Sequence, residues 1–234
     1  MKRLVLVRHG ESRWNREGRV QGQACEGLSP LGHAQARVTA AALAGAHPDA
    51  EVVASDLLRA TQTAAPLAAE LGGRSVSTDE RLRERSFGDW EGRLREEVAA
   101  GDPDRWQRWL AGEEVVHEVG GESTGQLADR VAPVLLDLLD ATPDDGVTIL
   151  VTHGGPIWHG LHRALGLPIP SFAGVANASV SELVTHGEQD VAEDDLRAAR
   201  AVLDRWNEVA HLPVELRTAW RPRATPVSTA PVGG

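Results

Sequence analysis

Two histidines in this chain stand in the same local setting. His9 follows the apolar run Leu4 to Val7 and precedes Gly10; His153 follows Val147 to Val151 and precedes Gly154 and Gly155. Each run is short, rich in β-branched residues and ended by a glycine turn, the pattern of a buried strand that stops at a loop. Two such strands lying parallel near the centre of one sheet would bring both imidazoles out at one edge. A third run, Glu51 to Ala54, leads through Ser55 and Asp56 to Arg59. The pattern places Arg59 in the first turn of a helix at that same edge, and Arg8 adjoins His9. His9, His153, Arg8 and Arg59 would then form a compact cationic pocket suited to an oxyanion, phosphate above all. A guanidinium fork matches phosphate oxygens in pairs, and helix N-termini add unpaired N–H groups. A neutral imidazole held there can also attack phosphorus, because phosphoryl transfer needs little beyond positioning and charge stabilisation.

The elements that must carry these residues alternate. A helix is expected from Pro30 to Ala44, with proline in its first turn, ending at Gly45 and His47-Pro48. Ser55 or Asp56 can cap the next helix, which runs to Gly72-Gly73 and in which Pro66 predicts a kink or a break. A short strand near Arg74 to Ser77 follows. Ser123 and Gln126 fit a capping box that opens an amphipathic helix, despite Pro133. After the second histidine come a helix from Pro156 to Leu165 and strands near Ser179 to Val184 and Ala201 to Trp206. This alternation predicts an α/β fold, a three-layer α/β/α sandwich with a mostly parallel central sheet and its ligand beyond the carboxyl ends of the strands. Residues 85–121, with Trp90, Trp106, Trp109, many charges and Gly/Pro breaks, read as a small helical insertion over the site. The acidic stretch 186–197 reads as a solvated insertion. One domain over 1–217 is expected, followed by a disordered Pro-, Thr- and Gly-rich tail at 218–234.

Acidic residues outnumber basic ones by 34 to 24, a net charge of −10, which argues against nucleic-acid and anionic-membrane partners. Cys25 is the only cysteine, so intrachain disulfides and multi-cysteine metal sites are ruled out. The first apolar run is interrupted by Arg8 before it reaches the length of a signal sequence, and no stretch approaches the ~18 apolar residues of a membrane span. A cytoplasmic protein is expected. His159 and His162 match no metal-ligand spacing with His153 and so give no reason of their own to expect a metal; no cofactor is expected, and a homodimer is compatible with the reading.

The segments RHGESRWNREGRVQGQACEGLSPLGHAQA, SDLLRATQTA, LRERSFGDWEGR, GGES, VTHGG, NASVSEL and WNEVAHLP together resemble the histidine phosphatase superfamily, also called phosphoglycerate mutase-like, over about residues 3–213. The resemblance implies that His9 is the nucleophile and forms a phosphohistidine. Arg8, Arg59 and His153 would hold the non-bridging oxygens, and Asn15 would donate a hydrogen bond to the phosphate. Glu84 would protonate the leaving oxygen and then deprotonate the attacking water. Gln21 and Gly22 match the substrate-side loop, Ser12 caps the next helix with phosphate contact second, and Gly154 with Gly155 lets backbone N–H groups approach the phosphate. From residues alone Glu84 also fits a salt-bridged turn, since Arg81, Arg83 and Arg85 surround it and Glu80 and Glu91 compete. The substrate loop departs from the family at Cys25, where Asp is usual, and at Gly27, where Pro is usual. Mutases of the family carry YGxLxGxxK after the acid; here the chain reads Phe87-Gly88-Asp89-Trp90-Glu91-Gly92-Arg93, with no tyrosine and Lys2 as its sole lysine. The implied activity is a metal-independent phosphomonoesterase acting on small phosphate esters of the sugar phosphate or phosphoglycerate type. Mutase-type phosphoryl transfer is the alternative, and an inactive binding member the third reading.

Overall fold

The computed structural model describes residues 1–24, 26–170, 174–185 and 201–218. Cys25, the 186–197 stretch and all but the first residue of the 218–234 tail lie outside the described residues. In chain order the elements are β1 (Arg3–Arg8), α1 (Arg13–Glu17), α2 (Pro30–Ala46), β2 (Glu51–Ala54), α3 (Leu58–Glu70), β3 (Val76–Thr78), α4 (Arg95–Gly101), α5 (Pro103–Leu110), α6 (Thr124–Ala141), β4 (Val147–Thr152), α7 (Gly154–Ala164), β5 (Val180–Thr185) and β6 (Ala201–Glu208). The strands form one six-stranded sheet in the order β3-β2-β4-β1-β5-β6. Pairs β2–β3, β2–β4 and β1–β4 are parallel, while β5 and β6 run antiparallel at one edge.

Between its terminal arginines, Arg3 and Arg8, strand β1 is wholly apolar because both of its faces are covered. Leu4 and Leu6 join Leu127, Val131, Leu135, Ile157 and Leu161 of α6 and α7 on one side. Val5 and Val7 join Ala40, Leu43, Ala60, Ala64 and Leu67 of α2 and α3 on the other. Each fully buried leucine contributes roughly 1.5–3 kcal/mol, and Leu4 and Leu6 of β1 with Leu150 of β4 anchor the two strands that deliver His9 and His153.

Three local expectations change. Helix α3 continues through Pro66, because Ala60, Ala64, Leu67 and Ala68 are buried on one stripe, and that burial outweighs the single hydrogen bond that proline removes. Its N-cap is Leu57, with no side-chain cap, so neither Ser55 nor Asp56 performs that task. Helix α7 begins at Gly154, two residues before Pro156, with His153 as its N-cap.

Segment 86–121 builds its own apolar cluster, in which Val20, Trp90, Val98, Trp109, Val115 and Val116 are buried and Phe87 and Trp106 pack against them. The ring pairs Trp90–Trp109 and Phe87–Trp109 meet edge-on. Trp90 is thus core to this segment. No helix among the described residues is long and apolar enough to cross a membrane.

Candidate active site

The parallel ladder continues one step past the strands and aligns their ends. Arg8 is paired with Thr152 and Ala54 with Val151. Beyond them the His9 N–H donates to the Thr152 carbonyl at 2.9 Å, and the Ser55 N–H to the Val151 carbonyl at 2.9 Å. Three successive strands therefore present His9, His153 and Ser55 side by side at one edge of the sheet, with Arg59 one helical turn further on.

His9 and His153 are buried, their ring centroids 5.2 Å apart. The His9 Nδ1 lies 2.6 Å from the Gly10 carbonyl. A carbonyl only accepts, so Nδ1 carries the proton and Nε2 keeps its lone pair. Burial, then the Arg59 and Arg8 charges, holds the His9 imidazole well below its ordinary 6.5, with the Gly10 carbonyl opposing. His153 is held down in the same way by burial, Arg59, His9 and Arg8. Both rings are neutral at neutral pH.

The Arg59 guanidinium is fully buried. Its Nη2 donates to the Gly22 carbonyl at 2.7 Å and its Nε to His9 Nε2 at 3.3 Å. Arg8 donates through Nη1 to the Val175 carbonyl, while its Nε is buried without a partner, as is His153 Nδ1. Burial brings the Arg8 pKa down to about 10; Glu84 opposes this, and Arg59 and Arg95 add to it. Two orphaned buried nitrogens beside two arginines mark a place where an anion completes the hydrogen bonding.

Glu84 enters from the loop before the 86–121 segment. The three arginines around it in sequence are drawn elsewhere: Arg81 to Asp79, Arg83 to Asp56, and Arg85 to Glu114. Its carboxylate instead accepts from the Arg85 N–H at 2.8 Å and from the Gly155 N–H, at the start of α7, at 3.2 Å. A Cβ on Gly155 would stand 2.1 Å from Glu84 Oε1, so only glycine admits this approach. The salt-bridged-turn reading is thereby replaced, and both competitors are occupied or remote. Glu91 accepts from the N–H groups of Gln23, Ala24 and Phe87 and from the Ser86 hydroxyl, tying the 21–24 loop to the 86–121 segment. Glu80 projects into solvent.

The remaining candidates divide. Ser12 and Asn15 form a capping box on α1, and the Ser12 hydroxyl donates to Gln21 Oε1 at 2.6 Å. Ser12 and the Gln21 carbonyl group are therefore engaged with each other and shape the loop. Asn15 Oδ1 accepts from Ser12 N–H and from Asn177 Nδ2, each at 3.2 Å, which leaves its amide nitrogen to donate. Gly22, at φ +55°, supplies the carbonyl that holds Arg59. Gly154 lies against the Arg8 guanidinium, where an added Cβ would sit 3.5 Å from Nε. The Gly155 N–H, expected to face the phosphate, is engaged by Glu84. Glu122 pairs with Arg130, and Ser123 caps α6.

Three residues take parts at the site that their spacing does not reveal. Ser55 Oγ lies 2.9 Å from His153 Nε2. Asn177 donates to the His9 carbonyl as well as to Asn15. Arg95 bears on Arg8, and among the described residues no carboxylate pairs with it. Ser55 and Asn177 lie in segments that carry the family resemblance, SDLLRATQTA and NASVSEL, whereas Arg95 has no such signal.

Comparison with known proteins agrees with this geometry. Residues 4–194 match the profile of the histidine phosphatase superfamily (branch 1). The chain is 37% identical over 221 residues to glucosyl-3-phosphoglycerate phosphatase of Mycolicibacterium vanbaalenii, covering 91% of this chain and 97% of that one. It is 35% identical over 213 residues to a metal-independent phosphoserine phosphatase of Arabidopsis thaliana, covering 89% and 82%. The structure of a mycobacterial glucosyl-3-phosphoglycerate phosphatase complexed with VO3 superposes with a TM-score of 0.74 at 34% identity, covering 88% of this chain and 99% of that one. With the matching profile spanning most of its length and its strand ends bearing the two histidines, this chain belongs to the histidine phosphatase superfamily.

Proposed function

We propose that the protein hydrolyses phosphate monoesters of small anionic metabolites through a phosphohistidine on His9. The observation that carries this reading is the commitment of His9 Nδ1 to the Gly10 carbonyl, which leaves Nε2 unprotonated, its lone pair accepting from Arg59 Nε at 3.3 Å in the resting pocket. In the first step the Nε2 lone pair attacks phosphorus. The bond from phosphorus to the ester oxygen breaks, and protonated Glu84 gives its proton to the departing alkoxide. Arg8, Arg59, the His153 ring and the Asn15 amide neutralise the three non-bridging oxygens as charge builds on them. In the second step water attacks the phosphohistidine, Glu84 takes its proton, inorganic phosphate leaves, and His9 returns to its neutral form.

The substrate class follows from the relatives and from one cation. Phosphoglycerate derivatives and phosphoserine, named in the relatives' activities, carry a carboxylate beside the phosphate ester. Arg95, whose charge bears on Arg8 and whose own pKa is lowered by burial with no carboxylate opposing it, is the cation we take to receive that second anion. The test is phosphate release, with EDTA present, from p-nitrophenyl phosphate, glucosyl-3-phosphoglycerate, 3-phosphoglycerate, phosphoserine and neutral sugar phosphates, with His9→Ala alongside. Turnover that favours the carboxylate-bearing esters and disappears in His9→Ala supports the reading. Transfer between phosphoglycerates without net hydrolysis would replace it with the mutase reading.

A further inference from the structure

Ser55 is fully buried at the carboxyl end of β2, with its Oγ 2.9 Å from His153 Nε2. The same oxygen receives the Leu57 N–H at 3.4 Å. With one lone pair so engaged, the Ser55 hydroxyl still has a proton to place. Among the described residues Nε2 of His153 is the acceptor that the structure offers it. The opposite arrangement, with Nε2–H donating to Oγ, would direct two donors onto one hydroxyl and leave its own proton without an acceptor among the described residues, between two fully buried side chains. It would also leave Nδ1 of His153, which has no protein partner, as a bare lone pair beside the place where phosphoryl oxygens must sit.

We infer that Ser55 is a positioning residue that holds His153 as the neutral tautomer protonated at Nδ1, so that this ring donates a hydrogen bond to a phosphoryl oxygen. The two histidines are then the same tautomer fixed by opposite means. His9 is held by an acceptor at Nδ1, the Gly10 carbonyl, which frees Nε2 as a nucleophile. His153 is held by a donor at Nε2, which leaves its Nδ1–H to face the anion. One ring presents a lone pair and the other a proton, although burial and the neighbouring arginines keep both uncharged. The role toward phosphate rests on the proposed function, whereas the tautomer belongs to the resting protein and can be read without substrate.

The experiment is long-range 1H–15N correlation on protein labelled with 15N histidine, with the His153 signals identified by their absence from His153→Gln. Near neutral pH the wild type is expected to show His153 protonated at Nδ1 and bare at Nε2, and inorganic phosphate should shift the Nδ1 signal most. Ser55→Ala removes one oxygen and should fold normally. It is expected to mix the two tautomers and to lower kcat about tenfold, with KM for p-nitrophenyl phosphate nearly unchanged, short of the ~10²–10³ that follows loss of a whole oxyanion donor. A wild-type ring protonated at Nε2 or on both nitrogens overturns the inference, as does a Ser55→Ala protein whose His153 tautomer is unchanged. A correct tautomer without any turnover would instead count against the phosphatase reading.

Discussion

Gly155→Ala separates the placement of Glu84 from the stability of the fold. Gly155 lies in the first turn of α7, a helical position where alanine is intrinsically better than glycine by about 0.5–1 kcal/mol. Against this, the new methyl would stand 2.1 Å from Glu84 Oε1 and 3.2 Å from both Glu84 Cδ and Leu127 Cδ2. The Leu127 contact is tight by a few tenths of an ångström and offsets much of the propensity gain. The Glu84 contact cannot persist, but a carboxylate at the end of a flexible side chain can swing away at little cost. The substitution should therefore leave the protein folded, with Tm within about 3 °C of the wild type, while the carboxylate moves off the Gly155 N–H and out of register with the leaving oxygen. General acid catalysis contributes about 10²–10⁴-fold. Turnover of an alkyl ester such as 3-phosphoglycerate should fall by about that factor, whereas p-nitrophenyl phosphate, whose phenolate leaves without a proton, should lose far less. Steady-state kinetics on both substrates, with a thermal melt of the same preparation, make the test. Equal losses on the two esters, or none on either, would refute the assignment of Glu84 as the acid held by this N–H.

Four further outcomes are expected. His9→Ala should abolish hydrolysis of every ester, and residual activity above about a tenth would remove His9 as nucleophile. Arg59→Lys keeps the charge but loses the fork that spans the Gly22 carbonyl and His9; kcat should fall about 10²–10³-fold, and a near-normal kcat would show that charge alone suffices. His9 and His153 are depressed well below 6.5 in the folded protein, so below that pH the unfolded chain binds protons that the native one does not. Their stabilisation is complete above pH 6.5 and declines as pH falls beneath it, by about 2.7 kcal/mol per pH unit for the pair; urea melts between pH 7 and 5.5 showing no decline would contradict neutral buried rings. Ser12→Ala removes the α1 N-cap and the bond to Gln21, and should cost about 1 kcal/mol with a Tm lower by about 2–4 °C.

Much of the site was legible before any coordinates. An apolar run with branched side chains, cut off by His-Gly, reads as a strand end, and two such runs lying parallel in one sheet bring their histidines to one edge. The Ser12 and Ser123 caps were equally readable, because capping is settled within four residues. Local reasoning failed where distant partners decide. Pro66 was expected to interrupt its helix, yet the burial of α3 against the sheet and α2 carries the helix past it. Ser55 was read as a cap because its sequence neighbours form a helix, and only the pairing of β2 with β4 sets its hydroxyl against His153.

Glu84 shows the division most clearly. Its sequence, flanked by Arg83 and Arg85, fits an exposed ion-paired turn as well as a catalytic acid. The outcome depended on Asp56, 27 residues before Arg83, and Glu114, 29 residues after Arg85, which draw those arginines away, and on a glycine at the head of α7 whose missing side chain leaves room for the carboxylate. Residue type and short-range periodicity determined which strands end in histidine and that arginines accompany them. Which nitrogen of each ring faces the pocket, and which carboxylate is left unpaired beside it, was decided by tertiary structure, because hydrogen-bond partners and salt bridges are allotted among groups that meet only once the sheet has closed its order.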